Sequence, residues 1–111
     1  MADCIFCRIA RREAPAEVLY EDERILAFHD HAPKAAVHLL VVPKKHIRNL
    51  ADLKPEDGEL IAHLMMALPD IAQAAGLENG FRTLTNTGPG GHQEVYHLHF
   101  HILGGRRLPA L

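Results

Sequence analysis

The sequence predicts an α+β domain with a mainly antiparallel five-stranded sheet, one main helix and a short N-terminal helix. Three observations carry this. Short apolar runs recur with brief polar turns between them. One long stretch alone has helical periodicity. The 111 residues suit a single domain, 1–111, with a modest core. The chain has no internal repeat and no low-complexity segment.

In chain order, residues 4–12 fit a short helix with Asp3 as its N-cap, ended by Pro15. Val18–Tyr20 and Ile25–His29 read as strands, with the polar turn Glu21-Asp22-Glu23 between them. The run 38-HLLVV-42 suits a central strand stopped by Pro43. Residues 55–75 form the main helix: Leu60, Ile61, Leu64, Met65, Leu68, Ile71, Ala72 and Ala75 fall in one band at ~100° per residue. Gly76 is its stop signal, and Pro69 is expected to kink or split it. Met66 falls on the polar side, which hints at a partner surface. Phe81–Asn86 and 95-VYHLHFHIL-103 supply the last two strands, and 87-TGPGGHQ-93 joins them as a glycine-rich loop.

A net charge of -2 argues against a broad nucleic-acid interface, and no run of 18 apolar residues exists to span a membrane. The N-terminus lacks the basic-then-apolar order of a signal peptide, so a cytoplasmic setting is expected. In that setting Cys4 and Cys7, spaced C-x-x-C, read as a metal half-site or redox pair rather than a structural disulfide.

The segment 97-HLHFHIL-103 holds three of the nine histidines. On a strand, His97, His99 and His101 share one face, and Leu98, Phe100 and Ile102 the other. His97 and His101 would stand about 13 Å apart along such a strand. Zinc holds nitrogen at about 2.0–2.1 Å, so one ion cannot take all three rings. Neutral imidazole is a competent nucleophile near neutral pH, and a second imidazole can assist the leaving group. Gly88, Gly90 and Gly91 would free the loop to aim its amides at an anion, although a plain hairpin turn has the same composition.

The pattern His-φ-His-φ-His-φ-φ, with φ apolar, resembles the signature of the histidine triad family. The stretches 28-FHD-30, 38-HLLVVPKKH-46, Asn86, 93-QEVYHLHFH-101 and 103-LGGR-106 resemble its Hint branch over nearly the whole chain. The resemblance implies a HIT-like fold and a purine nucleotide-binding hydrolase of nucleoside phosphoramidates, of the adenosine 5'-monophosphoramidase type. It implies His99 as the nucleophile, forming a nucleotidyl-histidine. His101 would bind phosphate and assist the leaving group, His97 would orient His99, and His38 would line the site. Asp30 would bind the ribose. Phe28 and His31 would stand near the nucleoside, and Asn86, His92, Gln93 and Glu94 near phosphate or sugar. A homodimer with a continuous sheet is implied as well. Two rival readings remain: dinucleoside polyphosphate hydrolysis on the same scaffold, and a regulatory nucleotide- or metal-binding protein with little turnover.

From the residues alone, any of the nine histidines could complete a Cys4–Cys7 metal site. The resemblance implies a structural zinc completed by His46 and His97, and no organic cofactor. One departure stands out. At 91-GHQ-93 the Hint branch usually has a second glycine where this chain has His92. Histidine there is strained if the position needs φ > 0.

Overall fold

The computed structural model describes residues 4–110. Its sheet has five strands, β1 (Val18–Glu21), β2 (Ile25–His29), β3 (Val37–Pro43), β4 (Arg82–Leu84) and β5 (Phe100–Gly104). They lie in the order β1-β2-β3-β5-β4, and every pairing is antiparallel. Helix α1 spans Ile5–Ala10 and helix α2 spans Gly58–Ala74.

The strand sequences follow from burial. On one face Ile25, Ala27, Leu39, Val41, Phe100 and Ile102 pack with Leu64, Leu68 and Ile71 of α2. On the other, Leu26, Phe28, Leu40 and Val42 pack with Phe6 and Ile9 of α1. Strands β2 and β3 are therefore covered on both sides, which is why they read as nearly unbroken apolar runs. Between β1 and β2 the Asp22 carboxylate accepts from the Arg24 and Ile25 amides at 2.8 and 2.9 Å, an Asx turn that fixes the hairpin. At the end of β5, Gly104 lets Leu77 close in: a Cβ there would sit 2.5 Å from a Leu77 methyl, and the leucine would have to shift.

Several expectations are corrected. The Asp3 cap lies outside the described residues; the N-cap of α1 is Cys4, whose thiol accepts from the Cys7 amide at 3.4 Å. Pro69 does not split the main helix, which is α-helical throughout Gly58–Ala74 after a 3-10 turn at Pro55–Asp57. Pro69 is exposed, so solvent can take the carbonyl that its ring leaves without a donor. The last strand starts at Phe100, five residues later than predicted from the alternation. Residues 95–99 are irregular, tied down by the Leu98 amide on the Ile47 carbonyl at 2.6 Å. The facing rule still holds: Leu98, Phe100 and Ile102 go to the α2 side. No described helix is long and apolar enough to cross a membrane.

Candidate active site

The three histidines of the signature go to two different places. His97 is fully buried, and its Nδ1 lies 3.2 Å from Cys4 Sγ, 3.5 Å from Cys7 Sγ and 3.2 Å from His46 Nδ1. Cys7 Sγ and His46 Nδ1 are 3.4 Å apart. Among the described residues, this set and a second one, Asp30–His38–His101, are the two clusters compact enough to consider for a metal, each with donor atoms within 4.8 Å of one another.

Proton placement separates the two. His97 Nε2–H donates to the Pro43 carbonyl at 2.7 Å, so the neutral ring turns its Nδ1 lone pair toward the thiols. Burial pushes its pKa down to about 4, which keeps that lone pair free. Metal–ligand bonds of about 2.0–2.3 Å imply tetrahedral edges of roughly 3.3–3.8 Å, close to the spacings found. The donor set thus fits a soft, four-coordinate cation, and the Pro43 carbonyl is the outer partner that orients a ligating imidazole. In the second cluster the Lys34 amide donates to His38 Nδ1 at 2.9 Å. Neutral His38 must then carry its proton on Nε2, which points at His101 Nδ1 at 2.8 Å. A cation bound there would need His38 as an anion. This cluster is built to place protons.

Hydrogen bonding also fixes the reactive atoms. His101 accepts at Nδ1, so its own proton sits on Nε2. His99 Nδ1–H donates to the His97 carbonyl at 2.7 Å, which leaves the Nε2 lone pair free. Burial, opposed by this bond and by Asp30 and Glu94, lowers the His99 pKa. Burial with the charges of His99 and His38 brings His101 down to about 4. Burial lowers His38 too, against the raising effect of Asp30 3.4 Å away. All three rings are therefore neutral near pH 7.

His99 and His101 open on a cavity of about 550 Å³, walled also by Phe28, His29, Asp30, His31, Leu40 and Glu94. Asp30 keeps one oxygen on the Ala32 amide at 2.9 Å. A larger groove of about 1120 Å³ lies beyond Ile5, Glu94 and Val95; Cys4 and His46 line it, but neither His99 nor His101 does. The chemistry belongs to the smaller cavity.

Three residues expected at the nucleotide, Asn86, His92 and Gln93, do not line this cavity. Asn86 donates to the Gly91 carbonyl at 2.7 Å. The buried Gln93 side chain bridges the loop to its surroundings: it accepts from Asn49 and the Gly88 amide and donates to the carbonyls of Arg48 and Val95. The amides of Gly88 and Gly91, expected to face an anion, are turned inward, Gly88 onto the Gln93 side chain. Gly91 and Gln93 donate to Gly88, and His92 to Pro89. His92 does occupy the left-handed region, at φ 61 and ψ 38. Sequence reasoning missed Thr85, whose hydroxyl holds the His99 carbonyl at 2.6 Å. It also missed the wall formed by Ile5, Phe6, Ile9 and residues 14–17. Alanine and proline there carry no chemical signal.

Known proteins share this fold. Residues 3–107 match the family model described as "Scavenger mRNA decapping enzyme C-term binding". Protein HitA of Neisseria gonorrhoeae is 51% identical over 104 residues, 94% of this chain and 97% of that protein. A HIT family hydrolase from Legionella pneumophila superposes with a TM-score of 0.92 at 49% identity, covering 96% of both chains. A histidine triad protein from Clostridium difficile superposes at 0.95 with 46% identity, over 100% of this chain and 97% of that one. The chain belongs to the histidine triad family.

Proposed function

We propose that the protein is a Hint-type hydrolase of purine nucleoside phosphoramidates. The observation that carries the proposal is the disposition of protons. A neutral His99 presents a bare Nε2 to the cavity, and His101 presents an Nε2–H beside it. In the first step His99 Nε2 attacks the α-phosphorus, a P–N bond to histidine forms and the P–N bond to the amine breaks. The amine leaves with a proton passed through His101 Nε2, which solvent restores. The His97 carbonyl, holding His99 Nδ1–H, stabilises the cationic adduct. Water then attacks phosphorus, frees His99 and returns one proton to solvent, releasing the nucleoside monophosphate. Phe6, Phe28 and Leu40 offer apolar surface to a purine, and Asp30 offers a carboxylate to the ribose.

The supporting centre would be a zinc ion held by Cys4, Cys7, His46 and His97. Its role is structural, since all four positions are filled by protein. The position of β4 at the sheet edge and the exposed Met66 on α2 support a homodimer that continues the sheet.

The test is intact-mass analysis of protein quenched with adenosine 5'-phosphoramidate. A nucleotidyl adduct mapped to His99 is expected, absent in His99→Ala while adenosine monophosphate still binds. Undiminished turnover in His99→Ala would reject the assignment. Parallel incubation with a dinucleoside polyphosphate would reveal whether that substrate is turned over instead.

A further inference from the structure

The cavity has two unlike walls. One is the sheet, with Phe28, Leu40, His99 and His101. The other is the segment before β1, from α1 through residue 17. Helix α1 has only six residues, too few to be stable alone. Its apolar hold is Phe6 and Ile9, with the small side chains of Ala10, Ala14 and Ala16 against the same cluster; the segment after it is tied to the sheet by the exposed Arg12–Glu21 pair and by the His29 amide on the Glu17 carbonyl at 3.0 Å. What remains is its N-terminal end. Cys4 caps it and Cys7 lies within it, and both thiols face His97 and His46.

Phe6 lies between these thiols in sequence and between the two centres in space. Its ring meets His97 edge-on at 5.9 Å, His99 at 5.1 Å and Phe28 at 5.5 Å. His97 joins the same two centres by another route, with its ring against the thiols and its carbonyl on His99 Nδ1.

We infer that the Cys4–Cys7–His46–His97 centre is a lock on the nucleotide cavity: a cation there pins α1 against the sheet, and its loss releases the wall that carries Phe6. This rests on the zinc reading of that centre and on the nucleotide reading of the cavity. The free energy of metal binding is spent on ordering the ligand-bearing segment, so the segment's order and the ligand site it walls are linked. The opposite face of the sheet and α2 share a separate core, which holds the domain together without the lock.

The test compares the zinc-loaded full chain with the same protein after chelation and with His46→Ala. His46 lines the neighbouring groove and not the nucleotide cavity, so its loss touches the ligand site only through the centre. The readouts are adenosine monophosphate affinity by calorimetry and hydrogen exchange by peptide mass spectrometry. Zinc removal by either route is expected to weaken binding about tenfold or more. Exchange should rise over residues 5–17 while β2, β3 and α2 keep their protection. Zinc loss with unchanged affinity and unchanged exchange at 5–17 overturns the lock. Loss of protection throughout the domain overturns it too, because the metal would then hold the whole fold. Protein that binds no stoichiometric zinc refutes the metal reading, and the lock with it. Zinc-loaded protein that fails to bind the nucleotide refutes the functional reading, and the exchange pattern alone then decides for or against the lock.

Discussion

Replacing His92 by glycine should stabilise the protein. His92 sits at φ 61 and ψ 38, and its side chain is exposed and outside the cavity. Its backbone amide, bound to the Pro89 carbonyl at 3.1 Å, is retained in any variant but proline. A side chain in the left-handed region costs about 1–2 kcal/mol, with histidine among the more tolerant residues. Glycine removes that cost but adds roughly 0.5–1 kcal/mol of unfolded-state entropy. The net gain is then about 0.5 kcal/mol. Spread over a urea dependence of about 1–3 kcal/mol per molar, it moves the unfolding midpoint upward by roughly 0.2–0.5 M. His92→Ala is the control, since it removes the imidazole but keeps the Cβ, and it should show no gain. Equilibrium urea unfolding followed by circular dichroism measures both. If His92→Gly unfolds earlier than the parent, or the alanine variant gains as much as the glycine one, the strain argument fails.

Two further expectations follow from the buried polar groups. Gln93→Leu strands the Asn49 amide, the Gly88 N–H and two carbonyls, and should cost about 2–4 kcal/mol by the usual penalty for unsatisfied buried groups, read in the same unfolding assay; a loss below half of that would mean solvent replaces the bridge. The metal-free protein should lose stability on acidification. Because the His97 pKa is depressed to about 4 in the fold, the unfolded chain takes up the proton first, so stability falls as the pH drops below 6.5 and levels off below about 4. The shift corresponds to about 3 kcal/mol at most, and unfolding midpoints that stay flat from pH 7 to 4.5 in chelator would contradict it.

Periodicity and burial made most of the fold readable. The band from Leu60 to Ala75 marked α2, and the unbroken run at 38–42 marked a strand covered on both sides. Alternation also assigned the faces of the last strand correctly, because side chains obey it even where the ladder stops. It misplaced the start of β5, since the bond from Leu98 to Ile47 and the reach of His97 toward the thiols are tertiary constraints that no local pattern carries. The glycine loop meets the same limit. Its composition allowed amides to face outward, but Gln93 and a 3-10 turn draw in those of Gly88 and Gly91.

The deepest gap concerns the backbone. A motif prints side chains, and three equivalent imidazoles are all that 97-HLHFHIL-103 can show. What distinguishes them are main-chain groups: the Pro43 carbonyl on His97, the His97 carbonyl on His99 and the Lys34 amide on His38. Each fixes where one proton sits, and the proton decides whether a ring can ligate, attack or donate. His97 shows the consequence most clearly, since its ring serves one centre and its carbonyl the other. Substituting its side chain would therefore remove a donor of the proposed zinc centre while leaving the acceptor for His99 in the chain. His97→Gln should then lose metal, yet still form the nucleotidyl adduct at a reduced rate under single-turnover conditions; complete loss of adduct in a folded variant would show that the ring, and not the carbonyl, holds the nucleophile.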